Sequence, residues 1–149
     1  MPIGELCVRD VIVCTRSTTI HEAARLMRQH HVGDLLVVNG SGAKQRPVGI
    51  ITDRDIVLSV IALQLDPSVF TVGDLATREI VSVREEQGIF ETIQEMRKHG
   101  VRRMPVLDEE GGLIGIVSID DLIQLLAEEM GELAKLISQE QAQETKLRT

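Results

Sequence analysis

The apolar positions of this chain fall into two copies of one pattern. GIITDRDIV (49–57) recurs as GIVSIDDLI (115–123), and IHEAARLMRQHHV (20–32) lines up with IFETIQEMRKHGV (89–101). A lead-in, VRDV (8–11), matches VGDL (72–75) at a smaller offset. Self-similarity of this kind marks a repeat architecture, in which one unit cannot bury its apolar face alone. The offsets are unequal because the first copy has a shorter start and a longer loop, NGSGAKQRP (39–47).

Within each copy the pattern predicts the same elements. A short apolar run, VIVC (11–14) or IVSV (80–83), suits a buried strand. A helix follows. In the first copy Thr19 is its N-cap and Glu22, three residues on, completes a capping box, with Ile20, Ala23, Ala24 and Met27 as the buried face. In the second, Gly88 takes the cap position, Glu91 stands third, and Ile89, Ile93 and Met96 form the stripe. Two strands come next, LLVV (35–38) with VGII (48–51) and MPVL (104–107) with LIGIV (113–117), joined by the turn-forming NGSG and DEEGG. A closing helix runs from about Asp53 to Leu63, with Pro67 ending that region, and again from about Ile119 onward.

The fold class is therefore α+β with α/β-type repeats: two tandem β-α-β-β-α units, at 5–63 and 72–130, paired about a pseudo-two-fold axis. Residues 64–71 are the linker, and 131–149 a C-terminal helical extension with a polar tail. Leu122, Leu125, Leu126, Met130, Leu133, Leu136 and Ile137 make one apolar stripe, predicted to be helical to about Ser138 and to serve as a dimer contact or fold back on the core. The last residues, QEQAQETKLRT, are predicted to fray.

Composition narrows the function. Hydrophobic residues at 43% and charged residues at 26% are ordinary for a globular domain. Phe70 and Phe90 are the only aromatics, so any bound base would lie between aliphatic walls. A net charge of −7, with no basic run longer than Arg102-Arg103, argues against a general nucleic-acid or anionic-membrane role. MPIGELCVRD lacks the features of a secretory leader, and two cysteines, Cys7 and Cys14, make no disulfide framework. The expectation is a soluble, acidic, cytoplasmic protein. His21, His30, His31 and His99 with Cys7 and Cys14 have no recognised zinc spacing. No P-loop, GxGxxG, CxxC or nucleophile elbow occurs, which predicts a protein that is not an enzyme.

Each repeat ends on Gly-apolar-x-Thr/Ser-x-x-Asp, as Gly49 to Asp55 and Gly115 to Asp121, and the second helix runs into the strand VRRMPVLD. In these features, from about Glu5 to Met130, the chain resembles the cystathionine β-synthase-type (CBS) domain family. The resemblance implies a Bateman module: a regulatory repeat pair whose clefts bind AMP, ADP, ATP, S-adenosylmethionine or a related adenosine compound, with no required cofactor. It also implies a homodimer and a regulated protein partner. Carried over by position, Asp55 and Asp121 accept hydrogen bonds from the ribose hydroxyls, and Thr52 and Ser118 support ribose or phosphate. Val13, Cys14, Thr15, Ser82 and Val83 flank the adenine, and Arg54, Arg102 and Arg103 contact phosphate. The chemistry agrees, since a carboxylate offers two acceptors to a cis-diol and the guanidinium fork suits phosphate.

The two copies differ where charge matters. Gly33-Asp34-Leu35-Leu36 stands against Arg102-Arg103-Met104-Pro105, and Arg54 against Asp120, which predicts unequal clefts and one strong site at most. Simpler roles compete for the same residues. Thr52-x-x-Asp55 and Ser118-x-x-Asp121 also read as helix caps, and Arg102 and Arg103 as a solvated ridge paired with Glu95 or Asp108. A ligand-free scaffold or protein-interaction module is the second reading of the whole chain, and a metal-binding stress protein the third.

Overall fold

The computed structural model describes residues 1–75 and 79–148, and the chain divides into two compact units, Met1–Val117 and Ser118–Thr149. Two three-stranded sheets carry the repeats. In the first, β1 (Val13–Cys14) lies parallel to β2 (Asp34–Asn39), and β2 lies antiparallel to β3 (Arg46–Thr52), giving the order β1-β2-β3. The second sheet repeats that order with β4 (Val83–Arg84), β5 (Arg103–Leu107) and β6 (Leu113–Ser118), and β4 is parallel to β5. The opening strands are shorter than the apolar runs predict. Only Val13 and Cys14 of 11–14, and only Val83 of 80–83 together with the following Arg84, reach the register of the central strand. Leu35, Leu36, Val37 and Val38 of β2 are all buried, as a central strand covered on both faces requires.

Helix α2 (Ile20–His30) starts on the predicted capping box: the Glu22 amide donates to Thr19 Oγ1 at 3.1 Å, and the Thr19 amide donates to Glu22 Oε2 at 3.1 Å. It buries Ile20, Ala23 and Met27, but Ala24 is exposed, because one further helical step carries it off the face that Ala23 presents. Its counterpart α5 (Ile89–His99) begins at Gly88 without a side-chain cap. There Thr92 and Met96 are buried, while Ile89 and Ile93 of the predicted stripe are only half-buried. Thr92 tolerates burial because its hydroxyl donates to the Gly88 carbonyl at 2.8 Å.

The repeats exchange their opening segments. Helix α1 (Ile3–Leu6, IGEL) lies against the start of the second repeat, and α4 (Val72–Leu75, VGDL) against the start of the first. The Ile3 amide donates to Gln87 O at 2.7 Å and the Gly4 amide to Glu85 O at 3.0 Å. The Val72 amide donates to Thr18 O at 2.8 Å and the Gly73 amide to Arg16 O at 2.9 Å. Ile3 thus answers to Val72, Gly4 to Gly73, Arg16 to Glu85 and Thr18 to Gln87, all at one constant offset along the chain. The contacts are the two halves of one pseudo-two-fold relation. IGEL, not VRDV, is therefore the counterpart of VGDL, and the alignment of VRDV with VGDL is a false match. Glycine fits this contact for a steric reason: a Cβ on Gly4 would stand 2.9 Å from Glu85 Cβ, and one on Gly73 3.0 Å from Arg16 Cβ.

The closing helices differ most. After β3, α3 (Asp53–Ile56) passes into a π-helical turn, Val57–Ile61, and the chain turns out at Gln64, whose φ is +57°. That left-handed residue ends the helix, ahead of Pro67. After β6, α6 (Ile119–Arg148) is one helix of 30 residues. The QEQAQETKLR segment predicted to fray is helical, in keeping with its content of Gln, Glu, Ala, Lys, Leu and Arg, all good helix formers. Leu122 is buried, whereas Leu126, Met130, Leu133, Leu136 and Ile137 are 51–70% exposed. Among the described residues no helix is long and apolar enough to cross a membrane.

Candidate functional site

The repeat-end signature builds the same structure twice. At the start of α3 the Thr52 amide donates to Asp55 Oδ2 at 2.9 Å, and the Asp55 amide donates to Thr52 Oγ1 at 3.1 Å. At the start of α6 the Ser118 amide donates to Asp121 Oδ2 at 2.9 Å, and the Asp121 amide donates to Ser118 Oγ at 3.2 Å. The Ser118 hydroxyl adds a bond to the same Oδ2 at 2.9 Å. All four residues are half-buried. The capping role is thus filled in both repeats, and it leaves chemistry to spare. In each box Oδ2 carries the cap, while Oδ1 takes no hydrogen bond from the described residues. A carboxylate oxygen fixed in orientation and still open suits a hydroxyl donor.

Beside the first box the strands bring a charged group that the sequence reading did not pair. Asp34 sits opposite Thr52 in the β2–β3 register, and its Oδ2 meets Arg103 Nε at 2.6 Å. The Asp34 side chain is only 15% exposed. Burial raises its pKa, Arg103 opposes that rise, and the charge of Asp53 adds to it. Asp53 belongs to the same corner: its amide donates to Gly33 O at 2.9 Å. Neither Glu95 nor Asp108 takes Arg103. Glu95 faces His99 at 3.5 Å, and Asp108 accepts from the Glu110 and Gly112 amides. Opposite charges at equivalent places in the two repeats were the one signal in the sequence for this pair. Arg54 and Arg102 are exposed and carry no ion pair among the described residues.

The strand residues assigned to the adenine divide by environment. Val13 pairs with Leu36 and Cys14 with Val37, further along β2 than Asp34, so they lie beyond the Thr52 corner rather than on it. Cys14 is buried, and burial pushes its thiol up to about 11, so it stays a neutral apolar wall at physiological pH. Thr15 is exposed, with its hydroxyl shared with Ser17 at 2.9 Å. Val83 is buried and Ser82 half-buried. Among the described residues no three of His, Cys, Asp and Glu converge as metal ligands.

Known proteins are similar to this chain in sequence and in fold. The CBS-domain family model matches residues 3–62 and 72–128. The chain is 36% identical over 123 residues to an uncharacterised protein of Methanopyrus kandleri, covering 83% of this chain and 61% of that one. It is 40% identical over 128 residues to hypoxic response protein 1 of Mycobacterium tuberculosis, covering 86% of this chain and 82% of the relative. The chain spans about three-fifths of the length of the first curated relatives it matches. Among solved structures, Hypoxic Response Protein I with two coordinated zinc ions aligns with a TM-score of 0.70 at 34% identity, over 83% of this chain and 98% of that one. A CBS domain protein of Pyrobaculum aerophilum complexed with AMP aligns with a TM-score of 0.71 at 28% identity, over 82% and 90%. With two matched repeats, two equivalent caps and an exchanged pair of opening helices, this chain belongs to the CBS domain family and is a CBS domain pair.

Proposed function

We propose that the chain is a non-catalytic sensor that binds an adenosine-containing ligand (AMP, ADP, ATP or S-adenosylmethionine) and passes the bound state to a protein partner. The observation that carries this reading is the open Oδ1 of Asp55 and of Asp121, each held in place by its own capping box. The ribose diol donates to these oxygens, with Thr52 and Ser118 beside them. Arg54, Arg102 and Arg103 serve the phosphate, and Val13, Cys14, Thr15, Ser82 and Val83 the base. The AMP complex of the Pyrobaculum aerophilum relative supports the ligand class. The same reading includes a cytoplasmic homodimer, with the exposed stripe of α6 as a contact surface.

The test is calorimetric titration of ligand-stripped protein with the four compounds, on wild type and on Asp55→Asn and Asp121→Asn. Asparagine retains one oxygen for the Thr52 or Ser118 amide and puts an NH2 group where Oδ1 was, so the cap survives while the open acceptor is lost. One compound should bind, and at least one variant should lose roughly tenfold or more of that affinity, the scale of a charge-assisted hydrogen bond. Full affinity in both variants would remove the ribose assignment. Silence across the panel would favour a ligand-free interaction module.

A further inference from the structure

Asp34 and Arg103 occupy equivalent places in the two repeats, at the first positions of the two central strands, and they bind each other. Two equivalent residues can touch only near the axis that relates them, so this ion pair lies on the pseudo-two-fold axis. It also adjoins the Thr52–Asp55 box, because Asp34 is the register partner of Thr52. Two arginines at these positions would give the axis two phosphate-binding forks. This chain has one, and its Nε is already committed to a carboxylate 2.6 Å away. The outer face of that guanidinium still holds donors, but its charge is cancelled at short range.

We propose that Asp34 is a specificity-determining residue: by neutralising Arg103 it restricts the ligand to an adenosine compound carrying one phosphate or none, and rejects triphosphates. The inference rests on the reading of the site as an adenosine-ligand site and names the class of ligand within it. A monophosphate needs few cationic partners and uses the Nη donors that Asp34 leaves free. A triphosphate brings further negative charge toward Asp34 and the neighbouring Asp53, with no cation but Arg103 acting on Asp34 among the described residues. Arg54 and Arg102 are exposed, so water and salt screen what they can add.

The experiment measures Kd for S-adenosylmethionine, AMP, ADP and ATP on wild type, Asp34→Asn, Arg103→Gln and Glu110→Gln, at low and high salt. Glu110 is exposed on the hairpin at the far end of β5 and controls for a change in net charge alone. Wild type should bind AMP or S-adenosylmethionine more tightly than ATP. Asp34→Asn should improve ATP relative to that best ligand by about tenfold at low salt, with the gain shrinking at high salt. Arg103→Gln should shift the ratio the other way, and thermal unfolding of each variant reports whether it is folded. An unchanged ratio in both site variants, an equal change in Glu110→Gln, or wild-type preference for ATP would overturn the role of Asp34 while leaving the adenosine site in place. No binding of any compound to any of the proteins would overturn the site reading itself.

Discussion

The two repeats share a framework and differ at a few positions set on it. Strand order, the buried face of the first helix, the exchanged opening helix and the repeat-end cap recur in both. The differences lie at the axis, where Asp34 faces Arg103, at the end of the first helix, where His31 stands against Gly100, and after the last strand. There a short helix broken by a π turn stands against one of 30 residues. Fold and charge asymmetry are therefore carried by different residues. The buried strand residues are apolar in both halves, so the sheets match, while the paired charges on the axis are free to make the halves unequal.

The comparison is most easily broken in the core. Leu35 and Met104 are equivalent strand residues, each with 0% exposure. Leu35→Ala and Met104→Ala should each cost about 2–5 kcal/mol, the range for emptying a buried site of this size. Because α1 belongs to one repeat by sequence and packs on the other, both variants should lower a single urea transition rather than split it. A second transition in either variant would mean that the halves unfold separately and that the exchanged helices do not couple them.

The axis is tested by pH. Arg103→Met leaves Asp34 without its cation in a half-closed corner, and the loss at neutral pH should be about 1–3 kcal/mol. Burial already holds the Asp34 carboxyl above its ordinary value of 3.8, and removing Arg103 raises it further. A folded-state pKa above the unfolded one means that the native protein binds the extra proton in the interval between them, so stability increases as pH falls through that interval. The gap between wild type and Arg103→Met should accordingly be widest at neutral pH and close on acidification toward 3.8. A gap of constant size between neutral pH and that value would show that Arg103 contributes only its packing.

How much of this was legible depends on range along the chain. The capping box at Thr19, the two strands of each repeat and the signature boxes are local patterns, and they stand where the sequence puts them. The exchanged helices were not legible, since segments as short as IGEL and VGDL carry no periodicity and their partners lie in the other repeat. That is why VRDV could pass for the counterpart of VGDL. Polarity misled at the other end, because a solvated stretch of good helix formers needs no apolar face to stay helical as part of a longer helix. At the site, the Thr52–Asp55 spacing announced a cap, but only the β2–β3 register brings Asp34 beside it, and only the axis brings Arg103 to Asp34.

The smallest effect sharpens the comparison most cleanly. His31 and Gly100 hold the same place after α2 and α5, both in the left-handed region, with φ of +55° and +63°. The His31 amide donates to Met27 O, and the Gly100 amide to Met96 O, the equivalent methionine of the other repeat. An L side chain is strained in this conformation and glycine is not, so Gly100→His should lose about 1 kcal/mol. His31→Gly should gain about as much, because the freedom that glycine gives the unfolded chain offsets the strain equally in both exchanges. A Cβ at Gly100 would meet nothing within 4 Å, and His31 is exposed, so backbone conformation is the main thing that either exchange alters. Chemical unfolding of the two variants therefore compares chiefly the cost of the left-handed turn. A loss well above about 2 kcal/mol at Gly100 would exceed what the left-handed region costs a single residue, and would mean that the second repeat uses this turn for a contact that the first does not make.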